Sequence, residues 1–236
     1  MISAALQPFE SSIFGGPVAR LSISGACSAA EIGDCIDRFR RQDGLKLASA
    51  RIPAADEATA RALEVAGFVR VETLVTLTRP CAGAEPPMVP VELAVPDEAA
   101  ICAEIGRVAF IYDRFHADTR LDRQAADTLK AQWVANGVSG RADAPLVVRR
   151  DGRPVGFNLC MRSGETAVID LIAVHPDHHG RGLGRALVLG ALDHYRRRGI
   201  STMTVGTQVD NGASFALYRG LGFVETSRAA TFHLVP

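Results

Sequence analysis

The sequence predicts an α/β protein, and three observations carry this prediction. An apolar run at 168–174 is followed by a glycine-rich turn and an amphipathic run, which is typical of a strand, a tight turn and a helix. Further apolar runs bounded by glycine, proline and aspartate alternate with helical patterns. Part of this pattern in the first 80 residues recurs 155 residues later. Strands and helices in such alternation form a sheet flanked by helices.

The composition is that of an ordinary globular protein. Of the 236 residues, 47% are hydrophobic and 22% charged, and the 26 basic residues balance the 26 acidic ones. This balance argues against nucleic acid or an anionic membrane as the main partner. The sequence shows no apolar run of about 18 residues and no signal peptide pattern at its start. The five cysteines form no C-x-x-C pair, so we expect reduced thiols and a cytoplasmic location.

From about residue 90 the patterns predict the element order β-α-α-β-β-β-α-β-α-β. Turn signals set several element ends, because Asp151-Gly152 is a favoured hairpin pair and Gly199 stops the helix that begins at Gly182. The predicted strands lie at 91–94, 146–149, 155–160, 166–174, 201–207 and 230–235, and the predicted helices at 97–110, 122–136, 182–198 and 213–221.

The first 80 residues look like a partial copy of the second half. With an offset of 155, Gly44 falls on Gly199 and Asp56 on Asn211, and the predicted strand 46–50 and helix 55–66 fall on later elements. Chance similarity between two such pieces is the alternative. The breaker-rich run at 80–87 predicts a linker. We therefore expect domains at 1–80 and 90–236 with a linker at 81–89.

The turn after residue 174 predicts an anion site. Its glycines allow positive φ and a close backbone approach, and the N–H groups and dipole at a helix start favour negative charge. The pattern G-x-x-x-x-G-K-[ST] is absent, and G-x-G-x-x-G fails at Arg185 and at Leu187. Triphosphate hydrolysis and dinucleotide binding are therefore not expected. We interpret the turn as a pyrophosphate cradle, with a tight turn that binds nothing as the alternative.

The motif that fits is [Q/R]-x-x-G-x-[G/A] after a strand ending in Ala-Val-His-Pro, with His179 in the first position. This motif and the element order resemble the GNAT N-acetyltransferases over roughly residues 90–236. The resemblance implies acetyl-CoA as acetyl donor and a mixed, mostly antiparallel, splayed sheet with flanking helices. The first half then resembles a degenerate half-GNAT domain. Its turn at 25–29 has Cys27 and Ala29 in place of glycines, so we expect no cofactor site there.

The resemblance also implies the cofactor contacts. They lie on the strand before the cradle, in the cradle and on the last helix, at Ile172, Ala173, Val174, His179, Gly180, Arg181, Gly182, Leu183, Gly184, Arg185, Asn211, Ala213 and Tyr218. Tyr218 is expected to protonate the leaving thiolate, since a phenol with a pKa of about 10 is protonated at pH 7. A core tyrosine bonded to backbone is the alternative. We expect no metal site, because no carboxylate or cysteine completes a ligand set beside the histidines of the turn.

The general base has two candidates. Asp170 lies on the strand before the cradle, and Glu72 lies on the predicted strand 69–77 of the first half. An ammonium acceptor must lose a proton before it attacks, either directly or through a water molecule. For each carboxylate, a solvated or salt-bridged side chain without catalytic function is the alternative.

Short motifs along nearly the whole chain resemble the TDP-fucosamine acetyltransferases within this superfamily, among them Pro8-Phe9-Glu10 and Thr231-Phe232-His233-Leu234. The resemblance implies a small-molecule acceptor, the amino group of a nucleotide-linked amino sugar. Residues expected to contact it lie between the first two helices of the second half, at Tyr112, Arg114, Phe115 and His116, with an ordinary polar loop as the alternative. Acetylation of a protein N-terminus or small amine and a non-catalytic acyl-CoA sensor are the alternative functions, and a homodimer stays open.

Overall fold

The computed structural model describes residues 1–236, except for the side chains of residues 42 and 43. The described strands are β1 (Ile2–Leu6), β2 (Val18–Ile23), β3 (Leu47–Pro53), β4 (Val69–Pro80), β5 (Glu92–Leu93), β6 (Ala144–Arg150), β7 (Arg153–Ser163), β8 (Thr166–Val174), β9 (Thr202–Gln208) and β10 (Val224–Leu234). The described α-helices are α1 (Pro8–Phe14), α2 (Ala29–Asp43), α3 (Glu57–Val65), α4 (Ala99–Ala109), α5 (Arg114–Ala117), α6 (Arg123–Asn136), α7 (Leu183–Arg197) and α8 (Gly212–Gly220).

The chain divides into two compact units. Unit 1 comprises Met1–Val75, Tyr112–Leu129 and Ser227–Pro236, and unit 2 comprises Thr76–Ile111 and Lys130–Thr226. The boundaries expected at residues 80 and 90 stay a prediction. Among the described residues, no helix has the length and apolar character needed to cross a membrane.

Unit 1 contains a mixed sheet in the order β1-β2-β3-β10-β4. Strand β2 runs parallel to β3, and β3 runs antiparallel to β10. One face of this sheet is apolar: Leu21, Ala50 and Phe232 pack there against Ile32 and Leu63 of α2 and α3. Because side chains alternate along a strand, the residues between them lie on the opposite face.

Unit 2 contains a sheet in the order β4-β9-β8-β7-β6-β5. Neighbours from β5 to β8 are antiparallel, whereas β8 and β9 are parallel. Helices cover both faces. Cys102 and Ile105 of α4 lie in one buried cluster with Phe157 of β7, and Leu187 of α7 lies in a second cluster with Val155.

The internal repeat predicted from the sequence recurs in the element bounds. Shifted by 155 residues, β3 and α3 coincide with β9 and α8 at both ends, and β4 starts where β10 starts. The helix starts are also alike, since the side chains of Asp56 and Asn211 each accept a hydrogen bond of 3.1 Å from a backbone N–H three residues later. The chain therefore contains the same strand–helix–strand piece twice.

Several predicted boundaries need correction. The predicted strand 91–94 has only two residues in β5, and the predicted helix 97–110 begins with a 3-10 turn at Pro96–Glu98. Strand β10 starts at Val224, six residues before the predicted start, because its exposed first half lacks the alternation that marks a half-buried strand. The helix α5 was not predicted, since four residues are too few to show a helical period.

Candidate active site

The glycine turn after β8 has the geometry of an anion cradle. A 3-10 turn at Pro176–His178 leads to Gly180 and Gly182, both with φ near +72°. Such angles strain any residue with a Cβ atom, which accounts for glycine at both positions. Gly182 is the N-cap of α7 and has no side chain to accept from the free N–H groups of the first turn. These groups and the helix dipole are therefore available to an anion.

At the corresponding turn of unit 1, side chains cap the start of the following helix. Ser28 is the N-cap of the helix α2, and its hydroxyl accepts a hydrogen bond from the backbone N–H of Glu31. The side chain of Glu31 in turn accepts from the backbone N–H of Ser28 at 2.8 Å. This capping box satisfies donors that Gly182 leaves free. The two helix starts thus differ in whether their N–H groups can reach a ligand.

The end of β8 has an unpaired backbone edge. The pairing of β8 with β9 runs from Thr166↔Thr202 to Ile169↔Val205 and stops there, although β8 continues to Val174. On its other edge β8 stays paired with β7, with a bulge at Asp170. Residues 170–174 therefore present backbone groups to which an extended ligand can add as a strand.

His175, His179 and Arg181 form hydrogen bonds within the turn or with the end of β8. The Nε2 of His179 lies 2.8 Å from the carbonyl oxygen of Val174, so the position normally held by Gln or Arg ties the turn to the strand end. Arg181 donates to the carbonyl of Asp177. The Nδ1 atom of His175 accepts from the N–H of Asp177. These contacts therefore lie within the turn and at its junction with β8.

Tyr218 is buried on α8 within the same unit. Its ring packs edge-on against Phe223, with centroids 5.6 Å apart, and its side chain is 2% exposed. Burial, and secondarily the nearby Cys160, raises the pKa of the Tyr218 phenol above its usual value, so it holds its proton at neutral pH.

Helix α8 lies against the start of α7. A Cβ atom at Gly184 would lie 3.6 Å from Leu217 Cδ2, an ordinary van der Waals distance, so the two helices are in direct contact here. The side chain of Asn211 caps α8 by accepting from the N–H of Ser214. The cradle, the open edge of β8 and Tyr218 are thus all within unit 2.

The two candidate bases lie in different surroundings. Asp170 is exposed and forms an ion pair with Arg141 at 3.6 Å in unit 2. Glu72 is 6% exposed in unit 1, and its Oε1 accepts from Arg51 at 2.9 Å and from the hydroxyl of Thr231 at 3.0 Å. Of the two candidates, Glu72 is therefore the one in a buried polar network.

Of the four residues expected to contact the acceptor, only Tyr112 is exposed. Arg114 donates to Glu10 at 2.9 Å, and burial lowers the pKa of its guanidinium to about 10, so it remains charged. Phe115 stacks on Phe14, with ring centroids 5.5 Å apart. The ring nitrogens of His116 lie 2.6 and 2.9 Å from Asp113 and Asp127. The proposed contacts stay predictions.

Sequence reasoning missed a buried dyad in unit 1. His233 is fully buried, and its Nδ1 lies 3.0 Å from Asp118 Oδ2. The alternation Thr231-Phe232-His233-Leu234 indicates a strand with two faces. Alternation does not show, however, that the polar face is buried as well.

About half of the chain matches a known protein family. Residues 107–223 match the Acetyltransferase (GNAT) family. The spore coat polysaccharide biosynthesis protein SpsD of Bacillus subtilis (strain 168) is 26% identical over 97% of this chain and 81% of its own length.

The [ribosomal protein bS18]-alanine N-acetyltransferase of Escherichia coli (strain K12) is 35% identical over 33% of this chain. The aligned segment covers about half (53%) of the length of that relative. Among solved structures, the GCN5-related N-acetyltransferase from Sphaerobacter thermophilus aligns with a TM-score of 0.67 at 19% identity, covering 99% of this chain and 76% of that one. The structural likeness confirms the predicted fold class, an α/β GNAT fold with flanking helices. Residues 107–223 therefore belong to the GNAT family, and the chain is an N-acetyltransferase with acetyl-CoA as acetyl donor.

Proposed function

We propose that this enzyme transfers an acetyl group from acetyl-CoA directly to the amino group of a nucleotide-linked amino sugar. The observation that carries the proposal is the open edge of β8 leading into an uncapped helix start. That combination suits a ligand with an extended amide arm and a pyrophosphate, which is the form of CoA. When bound, acetyl-CoA supplies an activated thioester.

In this proposal the chain acts on the donor mainly through backbone. Backbone groups of Ile172, Ala173 and Val174 bind the amide arm, and one N–H polarises the thioester carbonyl. The cradle from His179 to Arg185 binds the pyrophosphate, and Asn211 and Ala213 contact the donor from the start of α8. Holding the thioester beside the amine supplies a large part of the rate.

Proton transfer needs an acid and a base. We propose Tyr218 as the acid, because its side chain is buried and its phenol is protonated at neutral pH. We propose Glu72 as the base, because it is a buried carboxylate in a polar network, whereas Asp170 is an exposed partner of an arginine. The amine nitrogen loses its proton toward the base, and the departing sulfur receives one from Tyr218.

The acceptor assignment rests on the relative that spans nearly the whole chain. That relative is named for spore coat polysaccharide biosynthesis, which favours a sugar acceptor here. A protein N-terminus is the second candidate, favoured by the 35% identity of a 78-residue segment to an enzyme named for acetylating a ribosomal protein alanine.

Gly182→Val should abolish the thermal stabilisation that CoA confers, because a side chain would enter the space next to the helix N-terminus and strain a backbone at φ +72°. Gly199→Val is a matched control at the other end of α7, with φ +74° and equally open surroundings. Both variants should lose about 1–2 kcal/mol of stability. Thermal shift with and without CoA measures the difference, and a full CoA shift in Gly182→Val would contradict the cradle.

Tyr218→Phe should lower kcat about a hundredfold or more while leaving the Kd for CoA nearly unchanged, because only proton donation is lost. Tyr195→Phe is the control: Tyr195 is also buried, but its hydroxyl donates to Asp143 at 2.8 Å. That variant should lose about 1 kcal/mol of stability and keep its kcat. Unchanged turnover in Tyr218→Phe would exclude it as the acid, and CoA binding without turnover of any amine in the parent would favour the sensor.

Glu72→Gln should lower kcat about a hundredfold, because the amide keeps the shape and the acceptor oxygen but cannot take a proton. Asp170→Asn should stay near the parent rate. Initial rates with saturating acetyl-CoA test both variants, and their thermal midpoints show whether each is folded. The opposite ranking would assign the base to Asp170.

A panel of acceptors tests the substrate class. Turnover is compared for TDP-4-amino-4,6-dideoxygalactose, a peptide with an amino-terminal alanine, and spermidine. We expect kcat/KM for the amino-sugar nucleotide to exceed the others by on the order of tenfold or more, since sites that bond polar groups of a substrate reject analogues lacking them. Efficient turnover of the peptide without turnover of the sugar would refute the sugar assignment and leave acetyl transfer standing.

A further inference from the structure

The sheet of unit 1 has a second buried face, and that face is polar. Ser49 of β3 pairs in register with His233 of β10, and Arg51 pairs with Thr231. Paired residues lie on the same side of a sheet, and this side is opposite to the apolar face of Ala50 and Phe232. Ser49, Thr231 and His233 are each at most 2% exposed. Burying polar groups is costly unless each one has a partner.

Of the two ring nitrogens of His233, Nε2 carries no proton. Although burial opposes it, hydrogen bonds from His233 and Arg120 hold the pKa of Asp118 well below its usual range, so Asp118 is a carboxylate. The Nδ1 atom of His233, 3.0 Å from that carboxylate, therefore carries the proton. Burial lowers the pKa of His233, which keeps the ring neutral at pH 7 and leaves Nε2 with a free lone pair.

Two buried acceptor atoms of unit 1 have no hydrogen-bond partner among the residues that the structure describes. They are Nε2 of His233 and Oε2 of Glu10, whose other oxygen lies 2.9 Å from Arg114 and 3.6 Å from Arg20. Leaving a buried acceptor without a donor is unfavourable. The two atoms together point to a ligand that supplies donors.

A chain of contacts through Arg114 and Phe115 connects Glu10 to His233. Arg114, bonded to Glu10, has its guanidinium carbon 4.1 Å from the ring centre of Phe115, and that ring lies 6.1 Å from the ring of His233. The charge of Arg114 also acts on His233. A carboxylate oxygen and an imidazole lone pair both accept hydrogen bonds, so they suit a hydroxyl or amine and disfavour a phosphate.

We propose that Glu10 and His233 form a subsite that binds O–H or N–H groups of the acceptor. The idea rests on the proposed function, since the acceptor amine substrate is the ligand. Glu10 lies on α1, of seven residues, and Arg114 and Phe115 lie on α5, of four. Because both acceptor atoms are buried, the proposal requires α5 to move aside when the acceptor binds.

Calorimetry with Glu10→Gln and His233→Gln tests the subsite, using TDP-4-amino-4,6-dideoxygalactose, spermidine and the alanine peptide as probes. Each variant should weaken binding of the best parent ligand about tenfold or more and leave the Kd for CoA unchanged. Ser49→Ala is the control, since Ser49 is equally buried but donates to the carbonyl of Ala19. It should change neither affinity.

Unchanged acceptor affinity in both variants would overturn the subsite while leaving acetyl transfer in place. A parent that binds none of the three probes would overturn it as well, whereas the proposed function is judged separately by turnover. Should the variants fail to fold, the ¹⁵N resonance of His233 Nε2 in the parent decides. It should shift when the best probe is added and stay in place with CoA alone, and no shift with any probe would refute the proposal.

Discussion

Strand β8 pairs with β7 along its whole length but with β9 only as far as Ile169, and the candidate site depends on this difference. An unpaired edge is stable only when the rest of the strand is held, and here β7 holds it through Val174. The bulge at Asp170 adds local twist at the residue where the pairing with β9 ends. The strand then leads straight into the glycine turn. The open edge and the free helix N–H groups are therefore positioned by one continuous segment, so that an extended ligand with a terminal anion meets both at once.

The internal repeat shows how small changes decide which half has a cradle. The strand–helix–strand pieces share their bounds and their caps at Asp56 and Asn211. The two halves differ at the helix that precedes this piece. In α2, Ser28 and Glu31 satisfy free N–H groups at the helix start, whereas Gly182 leaves those of α7 free. A capping box stabilises its helix by about 1 kcal/mol. Unit 2 forgoes that stabilisation at α7, which is consistent with donors kept for a ligand.

Most of the helices and strands followed from the sequence because each has a clear period and a clear stop. The strand 166–174 and the turn at Gly180 and Gly182 were predicted with their bounds. The bulge at Asp170 was not predicted, since register depends on which strand lies alongside. The polar face under Thr231 and His233 was missed for a related reason. Alternation shows that two faces exist, but whether the polar one meets water depends on α1 and α5, which are distant in sequence and too short to show a period.

Burial shifts the pKa values of two residues in opposite directions, and in both it favours the neutral form. In Tyr218, the loss of water disfavours the phenolate, so the hydroxyl keeps its proton and can donate. In His233, the same loss disfavours the imidazolium, so the ring keeps a lone pair and can accept. Asp118 then decides which ring nitrogen that is, by binding the proton on Nδ1. Burying a polar group is costly unless it forms hydrogen bonds, and this agrees with the proton donor and acceptor roles proposed for Tyr218 and His233.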